Sequence, residues 1–314
     1  MESKYIAGMS IKGGRNNDFF FCLLEYFEGG KKLFVKSLLK LKDEDEGEAE
    51  QAIKNWVDKF ELGDLVVDCP LSSPVCENCA IDCPGACKCP QVSIVEVRKK
   101  IKKILEVDRT SHSKNPKKYE NERNKDDEIF YSKDILSKDS NEHILSRSFK
   151  RRLGREFLPY WNRALDFWIW CNYHDQLLEL FKMSFDSFGN TSLMLLKRFN
   201  YLRRHIPETL SLHEANVNIV FIEFLRAGFV SKYDIFATRN IDSSAGARLA
   251  ILRKLERKMN LFIYDQELEI LMKNPKAFNS FILALAGHRL HLGKIRQMPI
   301  WTESEVTNFI LPIF

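Results

Sequence analysis

The sequence predicts an α/β protein, on three observations. Its first forty residues carry three short apolar segments separated by glycine-containing turns. An amphipathic segment and a short apolar run follow. Beyond residue 160, apolar residues recur mostly at helical spacing. Strand, strand, strand, helix, strand is an α/β order, and its last strand is expected to pair in parallel with the first.

The three opening strands read as "YIAGMSI", "DFFFCLLEYF" and "KKLFVKSLLKLK", with "EGG" turning the second into the third. Such closely spaced segments favour an antiparallel meander. In "DEDEGEAEQAIKNWVDKFELGD", Ala52, Ile53, Trp56, Val57 and Phe60 share one helical face, and Gly63 stands where a helix stops. "LVVD" is then a short buried strand closed by Asp68. "SIVEVRKKIKKILEV" is a second amphipathic helix with Ile94, Val97, Ile101, Ile104 and Leu105 as its apolar stripe. Arg98, Lys99, Lys100, Lys102 and Lys103 are expected to face outward, as a solvated face or against a nucleic-acid backbone. Residues 108–142 are polar with mixed charge and read as a mobile surface insertion. Further helices are expected near 160–182, 190–205, 215–228, 244–259, 264–273 and 276–291, with "TLSLHEA" a strand and "NFILPIF" a final strand or strand-like tail. The whole reads as a single domain, 1–314, with a cysteine-rich insertion at 69–90.

Composition restricts the function classes only loosely. At 314 residues, 45% apolar and a formal charge of +5, the chain resembles many soluble enzymes, and the charge alone does not imply a polyanion partner. No apolar run approaches the roughly 18 residues of a membrane span. "MESKYIAGMS" lacks the charged and apolar regions of a secretory signal. The expectation is a cytoplasmic protein without a membrane partner, whose eight cysteines stay reduced.

Two features bear on chemistry. Cys76, Cys79, Cys83, Cys87 and Cys89 form C-x2-C-x3-C-x3-C-x-C, with Cys69 seven residues ahead. Zinc needs four tetrahedral ligands, and a C-x2-C turn offers two of them. The spacing matches no standard finger and lacks the ferredoxin pattern. Structural zinc and plain buried or disulfide-prone thiols therefore both stay open. Cys22 and Cys171 read as core residues. Asp68 is the second feature. An Asp at a strand end is often a turn residue or cap, yet ligands of open α/β sheets bind outside such ends. Elsewhere, the "IKGGR" glycines suit a hairpin turn better than a phosphate loop, and no G-x-S-x-G or H-E-x-x-H occurs. His288 and His291 are expected at the surface, and the aromatic stripe of "RALDFWIWCNYHDQLLELF" in a core. "RSFKRRLGR" and "KRFNYLRRH" supply Arg151, Arg152, Arg203 and Arg204, which suit a nucleic-acid groove or a solvated face.

Taken in order, several segments resemble the family of predicted nucleases with an RNase H-like fold, catalogued as a domain of unknown function. They are "YIAGMSIKGG", "LVVDCPLSSPVCENC", "CPGACKCP", "GREFLPYWNRALDFWI" with Pro159, Tyr160 and Arg163, "LMLLKRFNYLRRHIPETLSLHEANVNIVFIEF" with Glu214, and "KAFNSFILALAGHRL". The resemblance implies an RNase H-like mixed sheet with flanking helices and a mostly helical second half. It also implies nucleic acid as substrate class and carboxylates holding Mg²⁺ or Mn²⁺. Of four acidic positions, Asp68 and Glu214 remain as catalytic candidates, while Met9, with Ser10 beside it, and Asn279 replace the others. Two carboxylates do not readily neutralise two divalent ions. Three readings follow: a nucleic-acid-associated protein with an impaired nuclease site, an active metal-dependent nuclease, and a protein-interaction module organised by a zinc-bound cysteine cluster.

Overall fold

Glycine at position 8 lets a helix lie directly on the central strand of a six-stranded mixed sheet. The computed structural model describes residues 3–11, 19–41, 48–123, 150–151, 153, 159–183, 195–196, 199–200, 203–239, 244–298 and 308–314. The described residues fall into two compact units, where the sequence suggests a single domain. The first is drawn from 1–71, 194–297 and 307–314, the second from 72–193 and 298–306.

The first unit holds the sheet. Strands β1 (Ser3–Ser10), β2 (Phe19–Phe27) and β3 (Lys32–Leu41) form the expected antiparallel meander. A Glu28–Gly30 turn joins β2 to β3, closed by Lys31 in the left-handed region at φ 48°. Helix α1 (Glu48–Lys59) leads to β4 (Asp64–Val67), which pairs in parallel with β1, as expected. Strand β5 (Ser211–Glu214) adds in parallel to β4. Strand β6 (Leu261–Phe262) caps the far edge beside β3, giving the order β5-β4-β1-β2-β3-β6. The sequence predicts no strand there, because two residues are too few for a period-two signal.

Strand alternation sorts side chains between the two faces. Ala7, Met9, Ile11, Leu65, Val67 and Leu212 pack with Ile53 and Val57 of α1 on one face. The other face receives α9 (Pro275–His291). Asn274 caps α9 by accepting from the amides of Lys276 and Ala277 at 2.9 and 3.2 Å, with Pro275 at the first helical position. Helices α5 (Val217–Arg226), α6 (Lys232–Ala237), α7 (Ser244–Met259) and α8 (Asp265–Lys273) complete this unit. Helix α6 is absent from the expected set, although Ser231 and Asp234 form a reciprocal capping box that marks its start. "NFILPIF" supplies isolated bridges, Glu214 with Phe309 and Ile295 with Pro312, as a strand-like tail.

The second unit contains the cysteine segment, α2 (Val92–Lys114), α3 (Pro116–Arg123) and α4 (Ala164–Phe181). Helix α4 is buried nearly all round, including Phe167, Trp168, Trp170 and Tyr173, so its aromatics are core as expected. Residues 108–123 depart from the mobile insertion that the sequence suggests. They are helical, and Asp108 is fully buried, where it accepts a hydrogen bond from the Tyr119 hydroxyl and pairs with Lys150 at 2.5 Å. A buried carboxylate needs such partners, and they fix an otherwise polar stretch in place. Residues 124–142 lie outside the described residues, as does the "IKGGR" turn from Lys12 onward.

The approach of α9 is unusually close. A Cβ added to Gly8 would lie 2.3 Å from both the Ala284 nitrogen and the Ser280 carbonyl oxygen. Backbone cannot yield as a flexible side chain can. Replacing Gly8 by Ala is therefore expected to cost about 3 kcal/mol or more in denaturant unfolding. Gly63→Ala, whose Cβ would meet nothing within 4 Å, is expected to stay within about 1 kcal/mol of the unmodified chain.

Candidate functional site

The carboxyl ends of β1, β4 and β5 bring together most of the residues that the sequence singled out. Asp68 follows β4 directly and is 2% exposed. Its Oδ2 accepts from the Ser10 hydroxyl at 2.6 Å, and its Oδ1 from the Ile11 amide at 2.8 Å. The side chain thus extends the pairing of β1 with β4 past the last backbone bonds. Ser10, rather than Met9, is the β1 residue that meets Asp68. Met9 is fully buried in the core on the α1 face, opposite in the pleat to Ser10. The hydroxyl and the amide give this buried carboxylate the hydrogen-bond donors that burial would otherwise deny it.

Glu214 closes β5 level with Val67 and is also buried. Its Oε2 accepts from the Leu71 amide at 3.0 Å, and its backbone bonds Asn308 and Ile310 of the tail at 2.9 and 2.8 Å. The two carboxylates therefore stand at the ends of neighbouring parallel strands but serve different donors. Asn279 is half-buried on α9, one residue before Ser280, whose carbonyl lies against Gly8. Among the described residues no group of three or more His, Cys, Asp or Glu side chains is placed to hold a metal ion. These carboxylates, each already accepting from donors within the fold, do not fit a two-ion centre.

The remaining candidates are distributed differently. Cys69 is 1% exposed and belongs to the core beside Val67, apart from the C-x2-C pattern. Cys22 and Cys171 are buried as expected, and burial pushes the Cys22 thiol up. Cys76 and Cys79 are half-buried, Cys83 and Cys87 exposed, and Cys89 buried, with no disulfide among the eight. Arg98 does not face outward with its neighbours. Its guanidinium donates to the Ala86 and Cys89 carbonyls at 2.8 and 2.7 Å. Arg163 is buried and grips Asp166 through its amide and side chain, while Nη1 reaches the Ser72 hydroxyl at 3.3 Å. Tyr160, from the same motif, is exposed. Arg151, Arg203 and Arg204 are exposed, and Arg152 lies outside the described residues. Along α2 and α3, Lys99, Lys102, Lys103, Arg109, Lys114, Lys117 and Lys118 are all exposed.

His288 corrects the expectation of a surface residue. It is 5% exposed, its ring lies 4.7 Å from that of Tyr26, and neither ring nitrogen has a hydrogen-bond partner. Residue spacing alone does not reveal this, because α9 is buried almost all round and lacks a polar face. His291 is exposed, as expected, with its Nε2 3.6 Å from a Glu28 carboxylate oxygen. No family model, no curated protein and no solved structure matches the chain.

Two outcomes follow from this geometry. Asp68→Ala would leave the Ile11 amide and Ser10 hydroxyl buried without their acceptor, a loss expected to cost about 2 kcal/mol or more in chemical unfolding. Burial, aided by the positive charges of Arg289, His291 and Lys294, pushes His288 down from 6.5 to about 4. The unfolded chain therefore takes up this proton first as pH falls. The contribution to stability is full above pH 6.5 and is lost progressively toward pH 4, amounting to about 3 kcal/mol. His288→Phe should flatten the stability profile in that window.

Proposed function

We propose that the protein is a nucleic-acid-associated relative of the RNase H-like nucleases whose metal-dependent cleavage centre has been lost. The observation that carries this reading is the engagement of Asp68 by Ser10 and Ile11, at 2.6 and 2.8 Å. A carboxylate that completes the join between two strands has a structural reason to persist after catalysis is gone. The mixed sheet, with a meander running into parallel strands, is what an RNase H-like reading requires. Met9 supplies no oxygen, and Glu214 is the only other acid of the expected set.

Support for nucleic acid comes from charge placement. On α2, the exposed Lys99, Lys102, Lys103, Arg109 and Lys114 are accompanied by one exposed acid, Glu106. Such a row suits phosphates spaced along a backbone, and the interaction is sequence-independent and salt-sensitive. Arg203 and Arg204 offer a further exposed basic pair in the first unit.

The test couples cleavage to binding. Single- and double-stranded DNA and RNA would be incubated with the full chain and Mg²⁺ or Mn²⁺, with Asp68→Ala as reference. The expected result is no cleavage above the reference. Fluorescence anisotropy should show binding that weakens steeply with salt. Lys99→Ala/Lys102→Ala/Lys103→Ala should weaken it about tenfold or more and lower the salt slope by about one for each phosphate no longer neutralised. Cleavage abolished by Asp68→Ala would instead establish a working nuclease. Absence of binding at low salt would remove nucleic acid from the account.

A further inference from the structure

One row of side chains crosses four strands on the sheet face that carries α1. Strand register pairs Tyr5 of β1 with Glu25 of β2, Glu25 with Phe34 of β3, and Phe34 with Phe262 of β6. Residues opposite one another in a sheet point to the same side, so all four share the face of Ala7 and Met9. At one end the row continues onto α1, where the Phe60 ring lies 5.0 Å from that of Tyr5 and the Trp56 ring 6.1 Å from that of Phe60. At the other end the Phe262 ring lies 6.2 Å from Phe34 and 5.0 Å from Tyr264, which it meets edge to face.

The rings emerge from the core along this row. Tyr5, Phe34, Trp56 and Phe60 are half-buried, whereas Phe262 and Tyr264 are each 50% exposed. Two touching aromatic rings at a sheet edge leave in water a surface that packing alone would bury. Lysines stand between and beside the rings. Lys59 Nζ lies 5.3 Å from the centre of the Phe60 ring, Lys32 precedes Phe34 by two positions on the same face, and Lys36 is the residue skipped where the β2–β3 register shifts. Glu25, the acid within the row, accepts from the Tyr5 hydroxyl at 3.3 Å and pairs with Lys36 at 3.0 Å, so its charge is matched. Asp58 and Asp265 are exposed near the two ends, which leaves the exposed Lys32 as the phosphate contact at the middle.

We propose that this row binds a short run of unpaired nucleotides, with bases stacked on Phe262 and Tyr264, Phe34 continuing the platform inward and Lys32 meeting the backbone. The inference deepens the nucleic-acid reading above and rests on it. Three strand spacings of about 4.8 Å separate Tyr5 from Phe262, so the row is about 14 Å long. Every base has a π-face, and stacking on aromatic rings therefore tolerates any sequence. Bases of a duplex are stacked on one another and cannot offer those faces, whereas exposed lysines such as those of α2 meet the phosphates of either form. Lysine is depleted at the cores of protein interfaces, which favours nucleic acid over a protein as the occupant of a lysine-flanked platform.

The test uses the full chain with labelled oligothymidylate and oligouridylate, a duplex of the same length, and photo-crosslinking to iodouracil-substituted single strands. Phe262→Ala/Tyr264→Ala should weaken single-strand binding about tenfold or more and leave duplex binding within about twofold. Phe262→Tyr/Tyr264→Phe keeps both rings and should bind as the unmodified chain does. Lys32→Ala should lower the salt slope by about one. Crosslinks should fall on the peptides that carry Phe34 or Phe262 and Tyr264, a readout that does not depend on any variant folding. Single-strand binding unchanged in the alanine variant, or crosslinks confined to α2, would overturn this platform while leaving nucleic-acid association in place. Failure of the unmodified chain to bind any of the oligonucleotides would overturn both.

Discussion

The packing of α9 on β1 depends on the absence of a side chain at Gly8. Because the Ser280 carbonyl and Ala284 amide occupy the space where a Cβ would stand, helix and strand meet almost backbone to backbone. A second glycine, Gly287 of α9, admits the methyl groups of Ile6 and Val66 at 2.9 and 3.0 Å from where its own Cβ would be. Ile6 opposes Gly287 and Gly8 opposes Ser280 and Ala284, so α9 runs antiparallel to β1. Its first turn therefore points toward the strand end that carries Ser10 and Asp68. The same close approach keeps β1, and hence the Ser10–Asp68 bond, under a helix that is buried almost completely.

That burial changes what Asp68 can do. In a water-filled cleft, a carboxylate at the end of a parallel strand is available to a cation. Here its two oxygens accept from a hydroxyl and an amide of the neighbouring strand, and little solvent reaches it. Displacing those donors would expose the cost of burying them unpaired. Glu214 is held in a comparable way by the Leu71 amide, at the start of the segment that leaves β4. Both acids thus accept hydrogen bonds from within the fold at the carboxyl ends of β4 and β5.

Much of the architecture is legible in the sequence because the relevant signals are local. The short apolar segments at 5–11 and 65–67, the turn at 28–30 and the stripe on α1 indicate the meander, the helix and the parallel β4. The helix spans beyond residue 160 also agree with what periodicity indicates, where the residues are described. The remaining features depend on tertiary structure. A two-residue β6 has no period, and Asp108 looks like a surface acid until Tyr119 and Lys150 come to it. Arg98 reads as one more base in a lysine run, and only the carbonyls of Ala86 and Cys89 show its use. For the site, the strand reading puts Asp68 at a strand end, while the resemblance supplies Glu214 and assigns the acidic β1 position to Met9, with Ser10 beside it. One residue of register decides the pleat face, and Ser10 is the residue on the side where Asp68 makes its bonds.

Divalent-ion titration tests most directly the claim that Asp68 completes the sheet instead of holding a catalytic metal. Calorimetry with Mn²⁺ would compare the full chain with Asp68→Asn, which keeps the shape of the side chain and removes its charge. The account predicts the same weak heats for both proteins, with the difference appearing in unfolding stability alone. Saturable binding of one or two Mn²⁺ ions by the unmodified chain, lost in Asp68→Asn, would contradict it and return Asp68 and Glu214 to a working metal centre.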